Sequence, residues 1–266
     1  MGREPPAASH AEGGGGRGHP RRDPGPAHRA PGSEGRPLSD DPRAALADAL
    51  GDLAAILRFH RDLGVESVPL GGDFLPSPSE ALRAQEARLQ GCRQCKLCEG
   101  RQSIVFGSGN PQADLVVIGE GPGADEDAQG LPFVGRAGQL LTKMLESVKL
   151  TREQVYICNA VKCRPPGNRN PESDELAACA PFLAEQFGVI QPKVILSLGS
   201  VATQALLRTR EPIGKLRGRI HPYGTAILIP TFHPAFLLRN PGQDYKRMAW
   251  DDLKLAKREY DQRRTR

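Results

Sequence analysis

Four cysteines occur as a close pair followed, after a long gap, by two further thiols. The close pair is Cys92-x-x-Cys95 in the segment GCRQCKLCEGR, and the later residues are Cys163 and Cys179. A Cys-x-x-Cys turn presents two sulfurs to one centre, and four thiolates bind either Zn²⁺ or an iron–sulfur cluster. The pair lies in a polar, charged segment rather than on an apolar stripe, which favours ligands over buried thiols. The spacing therefore predicts a metal centre of one of these two kinds.

Two further cysteines leave the ligand set ambiguous. Cys98 extends the pair to a Cys-x-x-Cys-x-x-Cys run, as in ferredoxins, and Cys158 lies shortly before Cys163. One alternative is that all six cysteines are reduced, mostly buried thiols of a cytosolic protein. A disulfide framework is disfavoured, because six cysteines in 266 residues are sparse. Spacing alone does not choose between Cys98 and Cys179 as the fourth ligand.

The beginning of the chain differs in composition from the remainder. Residues 1–40 are rich in Gly, Pro and Arg and offer almost nothing to bury, which predicts a disordered tail. Residues 41–78 are predicted to form an amphipathic helix, from about Asp41 to Gly64, with a linker behind it. Residues 79–266 contain the strand-like apolar runs and are predicted to form the functional domain.

Charge and hydropathy narrow the classes of function. A net charge of +5 and an isoelectric point near 9.0 give a mild preference for polyanions such as nucleic acids. Residues 1–40 hold no continuous apolar run of the signal-peptide type, and no later run approaches membrane-spanning length. The sequence therefore predicts a cytoplasmic protein without membrane association.

Four apolar segments alternate with helical patterns after residue 78. The segments read ADLVVIGE, YICNAVKC, PKVILSLG and TAILIPTFHP, and they are short and apolar, as buried parallel strands are. Strand–helix alternation predicts an α/β fold, a three-layer α/β/α sandwich with a central, mainly parallel four-stranded sheet. In such folds the functional groups gather at the carboxyl ends of the strands.

Unusual polar residues follow three of these strands. Glu120 lies in GEGPGADED, Asn159 in NAVKCRPPGN, and His233 in TFHPAFLLRNPG. The GEGPG loop lacks the Lys-Ser/Thr of a P-loop and the spacing of a dinucleotide-binding fingerprint, so neither kind of nucleotide site is indicated. We expect the three side chains to converge on one rim of the sheet.

Together these motifs resemble the family 4 uracil-DNA glycosylases, the bacterial and archaeal iron–sulfur branch of their superfamily. The similarity rests on VIGEGPGADEDAQGLPFVGRAGQLL, NAVKCRPPGNRNP, Cys179 and FHPAFLLRNP, and it extends from about Leu82 to the C-terminal helix. The resemblance implies a monofunctional glycosylase that flips uracil out of DNA and hydrolyses its N-glycosidic bond, leaving an abasic site for base-excision repair. The expected partner is uracil-containing DNA, and we expect a monomer.

The resemblance also implies a cofactor and a substrate pocket. The four ligands of a [4Fe-4S] cluster correspond to Cys92, Cys95, Cys163 and Cys179. Cys98 and Cys158 fall at positions that are not ligands in that family. The residues of the uracil pocket correspond to Gly119, Glu120, Gly121, Glu126, Phe133, Asn159 and His233.

The chemistry of uracil removal suggests roles for five of these residues. The departing base carries negative charge on O2 and N1, so His233 is expected to donate a hydrogen bond to O2. The amide of Asn159 matches the N3–H and O4 edge of uracil, and Phe133 offers an apolar face for stacking. Glu126 is expected near uracil C5, where it excludes the thymine methyl group. Glu120 is the nearest carboxylate for positioning the attacking water or stabilising the cationic sugar.

Further contacts to DNA are expected beyond the pocket. Leu237 and Leu238 form an apolar wedge beside Arg239, a composition suited to filling the space that a flipped base leaves. The alternative is that both leucines simply pack a short turn. Arg164 and Arg169, in the segment RPPGNRNP, are expected on the DNA backbone.

Three other functions remain open on sequence grounds. A covalent uracil-trapping branch of the same superfamily carries a basic, His-containing insert after the second strand and a Gln in the first motif. This sequence has neither feature at those places. The alternatives from other classes are a Zn-stabilised DNA-binding module without catalysis and an iron–sulfur redox protein. The missing dinucleotide fingerprint counts against the redox protein.

Overall fold

A computed structural model describes residues 76–264 and nine positions between 44 and 61. The chain divides into two compact units, Met1–Pro69 and Leu70–Arg266. In the first unit the nine described positions are all helical, within the segment where the sequence predicts a helix. The predicted tail lies outside the described residues, and so does most of the predicted linker. The boundaries near residues 40 and 78 therefore stay predictions.

The second unit is built on a six-stranded sheet in the order β1-β3-β2-β4-β6-β5. The four inner strands are parallel to one another, whereas β1 and β5 pair antiparallel at the two edges. The strands are β1 Ser108–Gly109, β2 Leu115–Gly119, β3 Tyr156–Asn159, β4 Val194–Leu198, β5 His221–Tyr223 and β6 Ala226–Thr231.

Eight α-helices surround this sheet between residues 76 and 264. They are α1 Pro78–Leu89, α2 Ala124–Gln129, α3 Arg136–Ser147, α4 Ser173–Ile190, α5 Gly199–Leu207, α6 Ile213–Leu216, α7 Pro234–Arg239 and α8 Gln243–Arg264. Two 3₁₀ turns lie at Lys96–Cys98 and Pro166–Asn168. No helix in the part of the chain that the structure describes is long and apolar enough to cross a membrane.

Successive residues of the inner strands point to opposite faces of the sheet, and each face has its own apolar core. On one face, Leu115 and Val117 of β2 pack with apolar side chains of α3 and α8. On the other face, Val116 and Ile118 pack with side chains of α1, α4 and α5. Both faces of the parallel strands are thus buried, as uninterrupted apolar runs require. The predicted three-layer α/β/α sandwich is confirmed.

The sheet contains the four predicted parallel strands and two more that were not predicted. The two additional strands, β1 and β5, are two and three residues long, so they carry no alternation pattern that the sequence could reveal. The connections place β3 on one side of β2 and β4 on the other. Such a reversal opens a crevice at the carboxyl ends of the strands, which is where ligands bind in open α/β sheets.

Candidate active site

A cavity of about 490 Å³ opens at the carboxyl edge of the sheet. It is formed by the segments that follow β2, β3, β4 and β6, so the three predicted strand ends do converge. Eight residues predicted from the sequence line it, namely Glu120, Gly121, Glu126, Phe133, Asn159, Arg169, His233 and Arg239.

Gly119, the last residue of β2, leaves room for two side chains of the pocket. A Cβ atom added at Gly119 would lie 2.5 Å from Oδ1 of Asn159 and even closer to the ring of Phe133. Both distances are far below van der Waals contact, so only glycine allows these two groups to approach the strand end together. Gly119 therefore shapes the pocket without lining it, because it leaves room for the side chains of Phe133 and Asn159.

Phe133 is held in a backbone conformation that favours glycine. Its φ angle is 55°, in the left-handed region that costs a bulky residue of order 1–3 kcal/mol. The guanidinium of Arg152 donates to the carbonyl oxygens of Pro132 (2.7 Å) and Phe133 (3.0 Å). These bonds fix the loop from outside the pocket, and they keep the buried ring directed into it.

Asn159, the last residue of β3, is buried in the wall of the pocket with an unused acceptor. Its side-chain Oδ1 has no hydrogen-bond partner among the described residues. Buried polar atoms are nearly always paired, so an unpaired one lining a cavity indicates a ligand that brings the missing donor. An amide oxygen in this position accepts an N–H group.

His233 caps the start of α7 and presents a neutral imidazole to the pocket. Its Nδ1 accepts a hydrogen bond from the backbone N–H of Ala235 at 3.1 Å, so in the neutral ring the proton is on Nε2. Burial, with a smaller contribution from the positive charge of Arg239, lowers the pKa of His233 to about 4. The ring therefore donates from Nε2 at neutral pH without carrying a charge.

Glu120 follows β2 directly and is a carboxyl group with unusual acidity. Burial raises the pKa of Glu120 to about 7, and the positive charge of Arg239 opposes that rise. Such a carboxyl changes protonation state near neutral pH, as general bases in enzymes commonly do. Arg239 lies at the end of α7 and lines the same cavity, so its positive charge acts on both Glu120 and His233.

Glu126 lines the cavity but directs its carboxylate at its own loop. One oxygen accepts from the backbone N–H groups of Val134 and Gly135, each at 2.9 Å, and the other accepts from Gly123 at 3.1 Å. These bonds tie the GEGPG loop to the loop that carries Phe133. The geometry therefore gives Glu126 a bracing role, whereas its predicted exclusion of a methyl group has no separate support.

The two leucines of the predicted wedge differ in their surroundings. Leu237 is only 3% exposed and packs in a small core with Phe232 and Ala249, so it is not available to DNA. Leu238 is 41% exposed and lies next to Arg239 on α7. The prediction for Leu237 is corrected to core packing, because α7 turns one leucine inward and the other outward. Leu238 remains the candidate wedge.

The two arginines predicted on the DNA backbone are engaged within the protein. Arg169 donates to both carboxylate oxygens of the buried Glu175, at 2.7 and 2.8 Å. Arg164 donates from Nε to the side-chain oxygen of Asn168 at 2.7 Å. Arg169 therefore pairs with a carboxylate at the start of α4 and lines the pocket wall, and its expected contact with the DNA backbone stays a prediction.

Sequence reasoning missed three residues that belong to this site. Arg136 begins α3 and Ser200 lies in the first turn of α5, and both line the cavity. Arg152, which holds the Phe133 loop, lies in the turn between α3 and β3. A signal existed for Ser200, because LGS ends the third predicted strand, but Arg136 and Arg152 are ordinary helix and turn residues in the sequence.

A second, apolar cavity lies beside the pocket and is lined by four of the six cysteines. They are Cys92 from the turn after α1, Cys95 from the N-cap of the following 3₁₀ turn, Cys163 from the segment after β3, and Cys179 from α4. Cys98 and Cys158 are not among the lining residues. The structure therefore groups the same four thiols that the resemblance implies as ligands.

The surroundings of these thiols suit thiolate ligands. Burial raises the pKa of Cys163 to about 11, and burial also raises the pKa of Cys95 and Cys179, so a cationic centre is needed to keep the sulfurs ionised. The guanidinium of Arg101 donates to Sγ of Cys163 at 3.2 Å, and the backbone N–H of Lys162 donates to Sγ of Cys179 at 3.3 Å. Such N–H···S bonds are typical partners of metal-bound thiolates.

Fold and site together define a three-layer α/β/α protein with a polar pocket at the carboxyl edge of its sheet and a cysteine centre beside it. A family model described as the uracil DNA glycosylase superfamily matches residues 106–254. A type-4 uracil-DNA glycosylase of Thermotoga maritima is 44% identical over 180 residues, which are 67% of this chain and 94% of that protein. One from Saccharolobus solfataricus is 48% identical over 169 residues, 60% of this chain and 77% of that protein.

More distant similarity extends to another branch. A type-5 uracil-DNA glycosylase of Thermus thermophilus is 30% identical over 178 residues, 58% of this chain and 79% of that protein. The type-4 proteins are thus clearly nearer in sequence. The chain belongs to the type-4 branch of the uracil DNA glycosylase superfamily.

Proposed function

We propose that this protein is a monofunctional uracil-DNA glycosylase, which hydrolyses the N-glycosidic bond of uracil in DNA. The observation that carries the proposal is the unpaired Oδ1 of Asn159, buried in the same cavity as a neutral, Nε2-protonated His233. The type-4 glycosylases to which the chain is similar support the same activity.

Recognition of the base follows from the amide of Asn159. Uracil presents an N3–H donor and an O4 acceptor on one edge, so Oδ1 accepts from N3–H and the amide NH₂ donates to O4. Cytosine presents the opposite pattern at these two positions and would leave both groups unpaired in a buried site. Such mismatches cost a factor of ~10⁴ or more in well-built sites. Phe133 supplies the apolar face against which the flipped base stacks.

Bond cleavage requires stabilisation of the negative charge that develops on the departing base. The Nε2–H of His233 is a neutral donor suited to uracil O2, and its orientation is fixed before the substrate arrives. The half-buried carboxyl group of Glu120 is placed to position water or to stabilise the cationic sugar. Because hydrolysis splits one bond with water, the base leaves with a proton from the water and the sugar gains the water's hydroxyl group at C1′.

We further propose that Cys92, Cys95, Cys163 and Cys179 hold a [4Fe-4S] cluster. The four thiols line one apolar cavity, and four thiolates are the usual ligand set of such a cluster. The cluster supplies a structural cross-link, since hydrolysis transfers no electrons. We also propose that the enzyme acts as a cytoplasmic monomer in base-excision repair.

The decisive experiment uses a labelled oligonucleotide with one uracil, followed by alkali and a denaturing gel. Substoichiometric protein should yield strand cleavage that depends on both uracil and alkali, and a thymine-containing oligonucleotide of the same sequence is the control. A gel-stable protein–DNA adduct would instead indicate the covalent trapping activity. If neither cleaved product nor adduct forms, catalysis is rejected and a DNA-binding role is left.

A further inference from the structure

Lys162 is a lysine with almost no contact with solvent. It is 1% exposed and lies three residues after Asn159, in the segment that leads from the pocket to Cys163. Lysine side chains are rarely buried completely, because desolvating an ammonium group is costly unless hydrogen bonds compensate. The sequence marks it only as the Lys of NAVK, and none of the catalytic steps above uses it.

The polar groups of Lys162 bond to three different parts of the fold. The ammonium Nζ donates to the carbonyl oxygen of Asn159 at 2.9 Å and to Oε1 of Gln186 at 2.6 Å. The backbone N–H donates to Sγ of Cys179, and the backbone carbonyl accepts from Val105 at 2.8 Å. One residue thus joins the end of β3, helix α4 and the segment before β1.

The network behind Lys162 is itself buried and fixed. Gln186 is fully buried on α4, and its amide nitrogen donates to the carbonyl of Phe106 at 3.0 Å and to Oη of Tyr156 at 3.3 Å. The amide oxygen is thereby oriented towards Lys162. The ammonium also lies 5.9 Å from the ring centre of Phe106. Movement of the lysine head would therefore break several buried contacts at once.

We propose that Lys162 is a positioning residue for uracil recognition, acting through the main chain of Asn159. Its ammonium donates to the main-chain carbonyl of Asn159 on the side away from the pocket. This contact fixes the direction in which the side-chain amide, with its unpaired Oδ1, points into the pocket. The inference rests on the proposed function, because it assigns Asn159 the reading of the uracil edge. It adds that the reading depends on a lysine that never touches the base.

The test is a double-mutant cycle of Lys162→Met with Asn159→Ala, scored by binding. The probe is an oligonucleotide with one 2′-fluoro-2′-deoxyuridine, in which the fluorine makes the N-glycosidic bond resistant to cleavage. The reference is the same oligonucleotide with thymidine at that position. Lys162→Met should weaken the preference for the uracil probe ~10- to 100-fold, since hydrogen bonds from charged groups to buried partners are lost. In the Asn159→Ala background the same change should have less than about a twofold effect, because coupled residues are non-additive.

The matched control is Lys193→Met, at the opposite end of the sheet. Lys193 also donates to a main-chain carbonyl, that of Arg263 at 2.9 Å, but it lies away from both cavities. It should leave the preference for the uracil probe unchanged. If Lys162→Met does not fold, as judged by its melting transition, Lys162→Gln replaces it in the cycle with the same expectation of non-additivity.

Two results would overturn the inference. If the effects of Lys162→Met and Asn159→Ala on the preference for the uracil probe multiply in the double variant, the lysine acts independently of Asn159. Loss of absorbance near 400 nm in Lys162→Met, with the preference restored once iron and sulfide are rebuilt, would place its action at the cysteines instead. The proposed function fails separately, if the wild-type protein leaves no abasic sites in uracil DNA while the cycle remains measurable.

Discussion

The ring of Phe133 and the imidazole of His233 lie 5.7 Å apart, centre to centre, with their planes tilted by 32°. The two residues come from distant parts of the chain, one from the loop before α3 and the other from the N-cap of α7. Their contact joins the stacking surface to the hydrogen-bond donor. A base that stacks on Phe133 therefore lies within reach of the group that we expect to stabilise its charge.

Replacing His233 with alanine should remove the donor to uracil O2. Loss of one preorganised donor of this type costs about 3–4 kcal/mol, or roughly 10²- to 10³-fold in the rate of base release. Single-turnover measurements on a uracil oligonucleotide would record the loss in the chemical step. His221→Ala is the matched control, because His221 lies on the edge strand β5, where its ring bonds the carbonyl of Leu216 in α6, and it should be dispensable. Equal rates for both variants would remove His233 from the mechanism.

The acidity of Glu120 predicts opposite pH effects on rate and stability. Burial raises the folded-state pKa to about 7, above the ordinary value of 4.5, so the folded protein binds more protons than the unfolded chain between these pH values. The contribution of Glu120 to the free energy of unfolding should therefore fall as pH rises from about 4.5 to 7, whereas the lowered pKa of His233 gives a contribution of opposite sign up to about pH 6.5. If the carboxylate positions water, the rate of base release should rise over the upper part of that window.

Glu120→Gln should remove the contributions of Glu120 to both stability and rate, so each is measured as the difference between the wild-type protein and this variant. Denaturant melts and single-turnover rates between pH 5 and pH 8, taken on the same samples, would measure them together. Glu146→Gln, on the exposed side of α3, is the control and should keep the wild-type profile. A rate that stays flat over this range in the wild-type protein would show that another group, or none, activates the water.

Gly119→Ala should close the pocket while leaving the fold largely intact. The added methyl group would overlap the ring of Phe133 and Oδ1 of Asn159, so both must move out of the base site. We expect activity to fall by at least about a hundredfold, as displacement of recognising groups by ~1 Å does in other enzymes.

A second glycine provides the contrast. Gly188 lies on the exposed side of α4, and a methyl group added there would meet no neighbouring atom within 4 Å, so alanine fits. Gly188→Ala should keep full activity and raise the free energy of unfolding by about 0.5–1 kcal/mol, through better helix propensity. Full activity in Gly119→Ala would show that the pocket tolerates a shifted Phe133 and Asn159.

Removing single thiols should separate ligands from bystanders. Cys163→Ser should lose most of the bound iron and the absorbance near 400 nm, because Cys163 lines the cysteine cavity. Cys98→Ser should retain both, since Cys98 does not line that cavity although it follows the close pair. Iron and sulfide content per chain in anaerobically purified protein measures the difference. Retained iron in Cys163→Ser would exclude that thiol from the ligand set.

The central sheet was predictable because its information is local. Strands such as β2 and β4 are continuous apolar runs whose residues are all buried, and a parallel strand covered on both faces needs this pattern. The polar groups of the pocket were predictable for the same reason, since each lies at the end of a strand or within two residues of it. Short edge strands such as β1 form because they pair with a neighbouring strand, and their own sequence does not reveal them.

Contacts across the fold were not predictable. The carboxylate of Glu126 bonds to the main chain around Gly135, and Arg169 pairs with Glu175, whereas the sequence analysis expected Glu126 near uracil C5 and Arg169 on the DNA backbone. Leu237 and Leu238 are equivalent as residue types, and only the rotation of α7 decides which one is buried. The complete burial of Lys162 contradicts what its type suggests, because its partners come from three separate segments.

Only three residues separate Asn159 from Cys163, and this stretch runs from one cavity of the protein to the other. A residue inserted or deleted there would shift one end relative to the other by about 3.3 Å, the rise per residue of extended chain. Either the amide would leave the pocket or the thiol would leave the cysteine cavity. We expect the protein to tolerate changes of length in outer loops, whereas in this stretch a single extra residue should abolish base recognition or cluster retention.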